Sequence, residues 1–149
     1  MKKVIIANDH AGVSLAERLS VFLKKNGYET DWLGTKTEDS VDYPDMAEKA
    51  CRKYLEGGYE FGILICGTGI GISISANKIR GIFCALVQNS FAASMAKEHN
   101  NANFIAFGAR IDYPESVEDI LKAYIDAEVS ESERHKKRRE KMALLDSIR

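Results

Sequence analysis

Apolar runs of strand length alternate with stretches of helical period along this 149-residue chain. Strands that alternate strictly with helices form a parallel sheet covered by helices on both faces. We therefore predict one domain over residues 1–149, a Rossmann-like three-layer αβα sandwich with a five-stranded parallel sheet and right-handed crossovers. The predicted strands are Val4–Ala7, Tyr28–Leu33, Phe61–Ile65, Ile82–Val87 and Asn103–Phe107. The predicted helices are Val13–Lys25, Pro44–Leu55, Ile70–Lys78, Ser90–Glu98 and one from about Pro114, in its first turn, to Glu128.

The charge balance excludes several classes of protein. The chain has 21 Lys and Arg against 22 Asp and Glu, so no global basic field attracts nucleic acid or an anionic membrane. No apolar run approaches the roughly 18 residues of a membrane span, and the N-terminus turns polar at Asn8, too early for a signal peptide. We expect a cytoplasmic protein with neither nucleic acid nor a membrane as its partner.

The three cysteines show no C-x-x-C spacing, which argues against a disulfide framework or a structural zinc site. Cys51 lies in a helical pattern and Cys84 in an apolar strand, so both are expected to be inert packing residues.

The C-terminal segment, residues 130–149, carries seven Lys and Arg against four Asp and Glu, and it also contains Leu144, Leu145 and Ile148. We predict a basic helix that extends past the compact body. Its apolar residues would be covered by a second subunit, so a homodimer is expected and a tetramer stays open. The alternative is a helix packed on its own domain.

Small and polar residues follow every predicted strand. In open parallel sheets, ligands bind beyond the carboxyl ends of the strands. The loop Cys66-Gly67-Thr68-Gly69-Ile70-Gly71 enters a helix, and its backbone N–H groups can converge on an anion at the positive end of the helix dipole. It is neither a dinucleotide fingerprint, because position 72 is Ile, nor a Walker motif, because Gly-Lys-Ser/Thr is absent. A plain turn-and-cap role is the alternative.

Several side chains suit proton transfer beside a carbonyl. Cys66 lies where a helix N-terminus favours the thiolate, which makes it a candidate base or nucleophile, with an inert thiol as the alternative. His10 and His99 are side chains that titrate near neutrality. Arg134 and Arg138 are one helical turn apart and suit a phosphate, unless they only form a solvated face. Together they indicate enolate-type chemistry on a small phosphorylated ligand, with no cofactor or metal motif.

Seven sequence blocks resemble the B-type ribose-5-phosphate isomerases in order and spacing, over essentially the whole chain. They are Asp9-His10-Ala11-Gly12, Asp42-Tyr43-Pro44, residues 65–73 (ICGTGIGIS), Ala76-Asn77-Lys78, Glu98-His99-Asn100, Phe107-Gly108-Ala109-Arg110 and Arg134-His135. The resemblance implies interconversion of D-ribose 5-phosphate and D-ribulose 5-phosphate in the pentose phosphate pathway. It implies an enediolate intermediate and no metal or cofactor.

The resemblance also implies roles for residues. Cys66 would move the proton between C1 and C2, Thr68 would assist at the hydroxyls, and His99 would open the furanose ring with Asp9 nearby. The backbone N–H groups of the glycine loop would hold the enediolate oxygens, through Gly67, Thr68, Gly69, Ile70 and Gly71. The remaining contacts would be to the phosphate, from His10, Arg110, Arg134 and Arg138, and to the sugar, from Asn100 and Tyr43.

The predicted topology separates these residues. His99 and Asn100 precede the fifth strand, near the amino edge of the sheet and away from Cys66, so we expect them to serve the partner subunit's site. Two departures from the family pattern stand out: Asn8 replaces the Ser or Cys expected before Asp-His, and Ser132-Glu133 replaces an expected Gly-Gly. The second would change the entry of the tail and the affinity for phosphate.

Three other functions compete with this one. The first is an isomerase of six-carbon phosphosugars, such as allose 6-phosphate or galactose 6-phosphate, since pocket depth is not readable from sequence. A receiver domain would need an acceptor Asp where Cys66 stands. A zinc site from Cys66, His10 and His99 has suitable ligand types but an unrecognised spacing.

Overall fold

Five parallel strands and the helices that connect them make up the structure, a computed structural model that describes residues 1–148. The strands are β1 (Lys2–Asn8), β2 (Tyr28–Trp32), β3 (Phe61–Cys66), β4 (Cys84–Leu86) and β5 (Phe104–Gly108). The helices are α1 (Val13–Lys25), α2 (Tyr43–Leu55), α3 (Ile70–Asn77), α4 (Ser90–Glu98), α5 (Val117–Asp126) and α6 (Glu133–Leu144), with 3₁₀ turns at His10–Gly12 and Leu145–Ile148. The strand order is β2-β1-β3-β5-β4, which confirms the predicted α/β sandwich.

Alternate residues of each strand face opposite layers of helices. In β1, Val4 and Ile6 pack in the core under α1, α4 and α5, whereas Ile5 and Ala7 pack in the core under α2 and α3. All six residues of β3 are buried, as predicted for a central strand covered on both faces. The carboxyl end of β3 therefore opens between two well-packed layers.

Several predicted bounds differ from the structure by one or two residues, and two elements, the fifth helix and the fourth strand, differ in a way that changes their description. The helix predicted from Pro114 begins instead at Val117, because the Ser116 hydroxyl caps it by accepting the Asp119 N–H at 3.1 Å. The prediction of Pro114 in its first turn was wrong, and Pro114 lies in the preceding loop. The fourth strand shortens from the predicted Ile82–Val87 to β4, an edge strand that pairs only with β5.

The tail, which consists of helix α6 and the 3₁₀ turn after it, touches its own domain and leaves apolar side chains uncovered. Arg139 donates to the His99 carbonyl at 3.2 Å, and Asp146 accepts the Gly81 N–H at 2.9 Å. Three apolar side chains nevertheless stay exposed, namely Leu144, Leu145 and Ile148. Residue 149, the end of the predicted tail, lies outside the described residues. Within residues 1–148, no helix is long and apolar enough to cross a membrane.

Candidate active site

The structure places the predicted site residues at two opposite edges of the sheet. Cys66 pairs with Gly108 at the carboxyl end of β5, whereas His99 precedes Phe104 at the amino end of that strand. Four strand steps of about 3.3 Å separate the two ends, so Cys66 and His99 lie more than about 10 Å apart along the strand direction. At the carboxyl edge lie Asp9, His10, Tyr43, Cys66, Gly67, Thr68, Gly69, Ile70, Gly71 and Arg110, and at the amino edge lie His99, Asn100, Arg134 and Arg138.

The Cys66 thiol lies at the start of helix α3. Its side chain is only 4% exposed, and the Gly69 N–H donates to Sγ at 3.2 Å. Gly69 has φ of 78°, and a Cβ there would come within 2.9 Å of the Phe107 backbone, so glycine is required for the loop to turn. An N–H group and the positive end of a helix dipole thus face the sulfur.

The first turn of α3 is lined by one aromatic ring. A Cβ on Gly71 would lie 2.5 Å from the Cε1 atom of Tyr43, so the ring of Tyr43 rests directly on the glycine. Thr68 is exposed, and its Oγ1 accepts the Ile70 N–H at 3.2 Å, which leaves the hydroxyl hydrogen able to donate. The loop therefore offers a hydroxyl and backbone N–H groups beside the thiol.

A second strand end and a cation complete the carboxyl edge. Asp9 is buried, and its Oδ1 accepts the Ala11 N–H at 3.0 Å, which caps the 3₁₀ turn that carries His10. His10 accepts the Val41 N–H on Nδ1 at 3.2 Å, so a neutral His10 carries its proton on Nε2. The Arg110 N–H donates to the Gly67 carbonyl at 2.9 Å, and a Cβ on Gly67 would lie 3.3 Å from Arg110 Nη1, so the guanidinium lies against the loop.

The amino edge gathers the other predicted residues. His99 ends α4 with its side chain 41% exposed, and its ring lies 4.1 Å from that of His135. Asn101 adopts a left-handed conformation with φ of 46°, which asparagine tolerates, and turns the chain towards β5. The exposed Arg134 and Arg138 line a cavity of about 410 Å³ together with Lys137 and Lys141, so this surface is strongly positive.

Comparison with known proteins identifies the family of this chain. The model of the Ribose/Galactose Isomerase family matches residues 4–142. The chain belongs to this family. It is 35% identical to ribose-5-phosphate isomerase B of Escherichia coli over 100% of this chain and 99% of that protein, and 37% identical to D-erythrulose-4-phosphate isomerase of Pectobacterium atrosepticum over 86% and 85%. The structure of ribose-5-phosphate isomerase B from Clostridium thermocellum superposes with a TM-score of 0.92 at 41% identity, covering 97% of each chain.

These matches confirm the resemblance found in the sequence, and they show that this member of the ribose/galactose isomerase family is an isomerase. The alternative of a receiver domain is thereby set aside. The zinc alternative needs three ligands that the chain itself does not bring together, since His99 lies at the opposite edge from Cys66. Residues 1–148 contain no group of three His, Cys, Asp or Glu side chains arranged to hold a metal ion.

Two contacts in the isomerase were missed from sequence. Asn8, noted only as a departure from the family pattern, is fully buried, accepts the Trp32 Nε1–H at 2.6 Å and donates to the Thr35 carbonyl at 2.9 Å. It fixes the loop after β2. The second missed contact is between the rings of His135 and His99. Its only signal in the sequence is the pair Arg134-His135, which belongs to the family pattern. Burial, together with the charges of His99 and the tail arginines, lowers the pKa of His135.

Proposed function

We propose that this isomerase interconverts D-ribose 5-phosphate and D-ribulose 5-phosphate through an enediolate, with Cys66 as the base and without a metal or cofactor. The observation that carries the proposal is the position of the Cys66 sulfur, buried at the N-terminus of α3 and 3.2 Å from the Gly69 nitrogen. A base on carbon and donors for the oxygens are thus adjacent, as enolate chemistry requires.

The isomerisation needs one proton shift on carbon and one on oxygen. The Cys66 thiolate takes the proton from C2 of the open-chain aldose and returns it to C1 of the enediolate. The hydroxyl of Thr68 carries the proton that leaves O2 and arrives at O1. Backbone N–H groups from Gly67 to Gly71 stabilise the negative charge that develops on these oxygens, and no external oxidant or reductant is consumed.

Ring opening and phosphate binding rest on a homodimer with shared sites. His99, with Asp9 of the opposite subunit near the same end of the sugar, moves the protons that open the furanose. His10 and Arg110 of one subunit and Arg134 and Arg138 of the other hold the phosphate. Support comes from the separation of these groups at opposite edges of one chain. It also comes from three apolar side chains of the tail that this chain leaves uncovered, Leu144, Leu145 and Ile148, which are 69%, 59% and 78% exposed. Asn100 and Tyr43 orient the sugar.

The direct test is turnover of ribose 5-phosphate by the purified protein in excess EDTA. Wild-type activity should persist, and Cys66→Ala should lose roughly 10²- to 10⁴-fold in kcat, the usual worth of a general base. Cys84→Ala, which removes a thiol from β4, is the matched control and should stay active. A Cys66→Ala enzyme with undiminished kcat, or a wild type silenced by EDTA, contradicts the proposed mechanism.

The shared site has its own test in mixed dimers. A Cys66→Ala chain paired with a His99→Ala chain restores one intact site, because the wild-type Cys66 and the wild-type His99 then come from different subunits. Ribose 5-phosphate turnover should rise towards half that of the wild type. Mixed dimers as inactive as both parents would show that each site uses a single chain.

A second candidate substrate class is a phosphosugar of another length. The Pectobacterium atrosepticum relative is named for a four-carbon sugar phosphate, and the family name includes galactose. We infer a five-carbon preference from the full-length match to ribose-5-phosphate isomerase B. Values of kcat/KM for erythrose 4-phosphate, ribose 5-phosphate, allose 6-phosphate and galactose 6-phosphate decide between them, and a higher value for a four- or six-carbon sugar replaces the pentose assignment.

A further inference from the structure

The C-terminal end of α4 is hydrogen-bonded to Arg139 and to Ser130. Arg139 Nη1 donates to the His99 carbonyl at 3.2 Å, and Nη2 donates to the Ser130 carbonyl at 2.8 Å. The Ser130 N–H in turn donates to the Glu98 carbonyl at 2.8 Å. One guanidinium therefore joins the last turn of α4 to the segment that leads into α6.

The same segment also supports the His99 ring. Ser130 Oγ lies 2.7 Å from His135 Nδ1, and the His135 ring lies 4.1 Å from the His99 ring with 30° between the two planes. Arg139 and His135 are four residues apart on α6, so they lie on one face of the helix. The arginine fixes the backbone of His99, while the buried imidazole of His135 fixes the plane of its ring.

We propose that Arg139 is a positioning residue for ring opening. Its two hydrogen bonds fix the position of His99 relative to the His135 ring that supports it. The proposal rests on the proposed function, because it assumes that His99 opens the furanose. In that step the O1–H proton of the hemiacetal is removed, the C1–O4 bond breaks and O4 gains a proton. Arg139 touches neither the sugar nor the reacting atoms.

Neither the charge nor the length of the Arg139 side chain is enough to make both hydrogen bonds at once. A guanidinium presents two parallel donors in a rigid fork, whereas a lysine ammonium is a point charge on a flexible stem. Arg139→Lys can therefore serve one carbonyl at a time, and Arg139→Met serves none. The expected order of ring-opening activity is wild type, then Arg139→Lys, then Arg139→Met.

The test separates ring opening from proton transfer on carbon. Ribose 5-phosphate is a furanose in solution, whereas ribulose 5-phosphate stays open, because its O5 carries the phosphate. Turnover of ribose 5-phosphate requires both steps, but exchange of the C1 hydrogen of ribulose 5-phosphate with D₂O requires only the Cys66 step. Arg139→Met should lower the first activity roughly 10- to 100-fold, the cost of a misplaced catalytic group, and leave the exchange rate within about twofold.

Two further variants, together with Arg139→Lys, separate the possible outcomes. His99→Asn should show the same split as Arg139→Met, and if it turns over ribose 5-phosphate like wild type, the ring-opening role of His99 is wrong and this proposal with it. Arg52→Met removes another hydrogen-bonded arginine, the partner of Glu48 on α2, and should change neither activity. If His99→Asn shows the split but Arg139→Met does not, or if Arg139→Met loses both activities equally while Arg139→Lys behaves as wild type, the positioning role is overturned.

Discussion

Adding one methyl group at Gly71 tests how Tyr43 is seated over the glycine loop. In Gly71→Ala the new Cβ would lie 2.5 Å from Cε1 and Cζ of the Tyr43 ring and 2.7 Å from its oxygen. Carbon atoms make their best contacts at about 3.5–4.0 Å, so the ring must move by roughly 1 Å or swing into solvent. Tyr43 is 39% exposed, which gives it room to swing.

The expected change in stability is a difference of two effects. Overpacking of this kind costs about 1–3 kcal/mol, whereas alanine in place of glycine in a helix returns up to about 1 kcal/mol. Gly71→Ala should therefore lower the free energy of unfolding by about 0–3 kcal/mol. In a Tyr43→Ala background the clash is absent, and the same change should stabilise the protein by up to about 1 kcal/mol.

A double-mutant cycle in urea measures the coupling between the two positions. The four proteins are unfolded at one protein concentration, because an oligomer's stability depends on concentration. We expect a coupling of about 1–3 kcal/mol and a raised KM for ribose 5-phosphate in Gly71→Ala. Effects that add to within about 0.5 kcal/mol would show that the ring does not rest on Gly71.

Three further results follow from buried groups. Asn8→Ala should lower the free energy of unfolding by about 1–3 kcal/mol while sparing kcat, because the Trp32 Nε1–H loses its acceptor; urea unfolding and initial rates measure both. Iodoacetamide should alkylate Cys66 before Cys51, since burial raises the pKa of Cys51 to about 12, and peptide mass spectrometry gives the order. Because the pKa of His135 is lowered in the folded chain, the unfolded chain binds more protons as the pH falls through about 6.5 towards that lowered pKa, so stability falls over this range. His135→Gln should show a smaller fall from about pH 7.5 to 5.5 in urea unfolding, and an unchanged fall would refute this assignment.

Local signals predicted most of the helices and strands. Helices α1 and α4 have the predicted bounds, because residues next to them in the sequence mark their ends: Asn26 and Gly27 follow α1, and the Asn89 side chain caps α4. The predicted start of α5 was wrong because two contacts fix it: the Ser116 hydroxyl caps the helix, and Glu115 accepts hydrogen bonds from the N–H and hydroxyl of Ser90 at 2.6 and 2.5 Å, which keeps the residues before Ser116 in a loop. The sequence pattern does not predict the contact between Glu115 and Ser90, because the two residues are 25 positions apart.

The candidate site was predictable at its carboxyl edge and only partly so at its amino edge. The rule that ligands bind beyond strand ends identified the Cys66–Gly71 loop without any coordinates. The contacts of Arg139 were not predicted from sequence, because residues 133–141 are almost wholly charged. They show no apolar face that would predict which side of the helix packs on the rest of the domain. Six Lys and Arg side chains lie close together in this segment. The Ser132 cap and the hydrogen bond from the Ser130 N–H to the Glu98 carbonyl fix the orientation of α6, and this orientation decides which of the six contacts α4.

The separation of site residues between two edges has a consequence for how the isomerase divides its chemistry. In the proposed dimer, a two-fold axis that brings one subunit's amino edge to its partner's carboxyl edge creates two equal sites at once. Each subunit then supplies the Cys66 loop to one site and the His99 and α6 groups to the other. Changes in the tail should act on ring opening and phosphate binding, whereas changes in the glycine loop should act on proton transfer between carbons. The two kinds of defect then complement each other in mixed dimers, which a site built from one chain cannot reproduce.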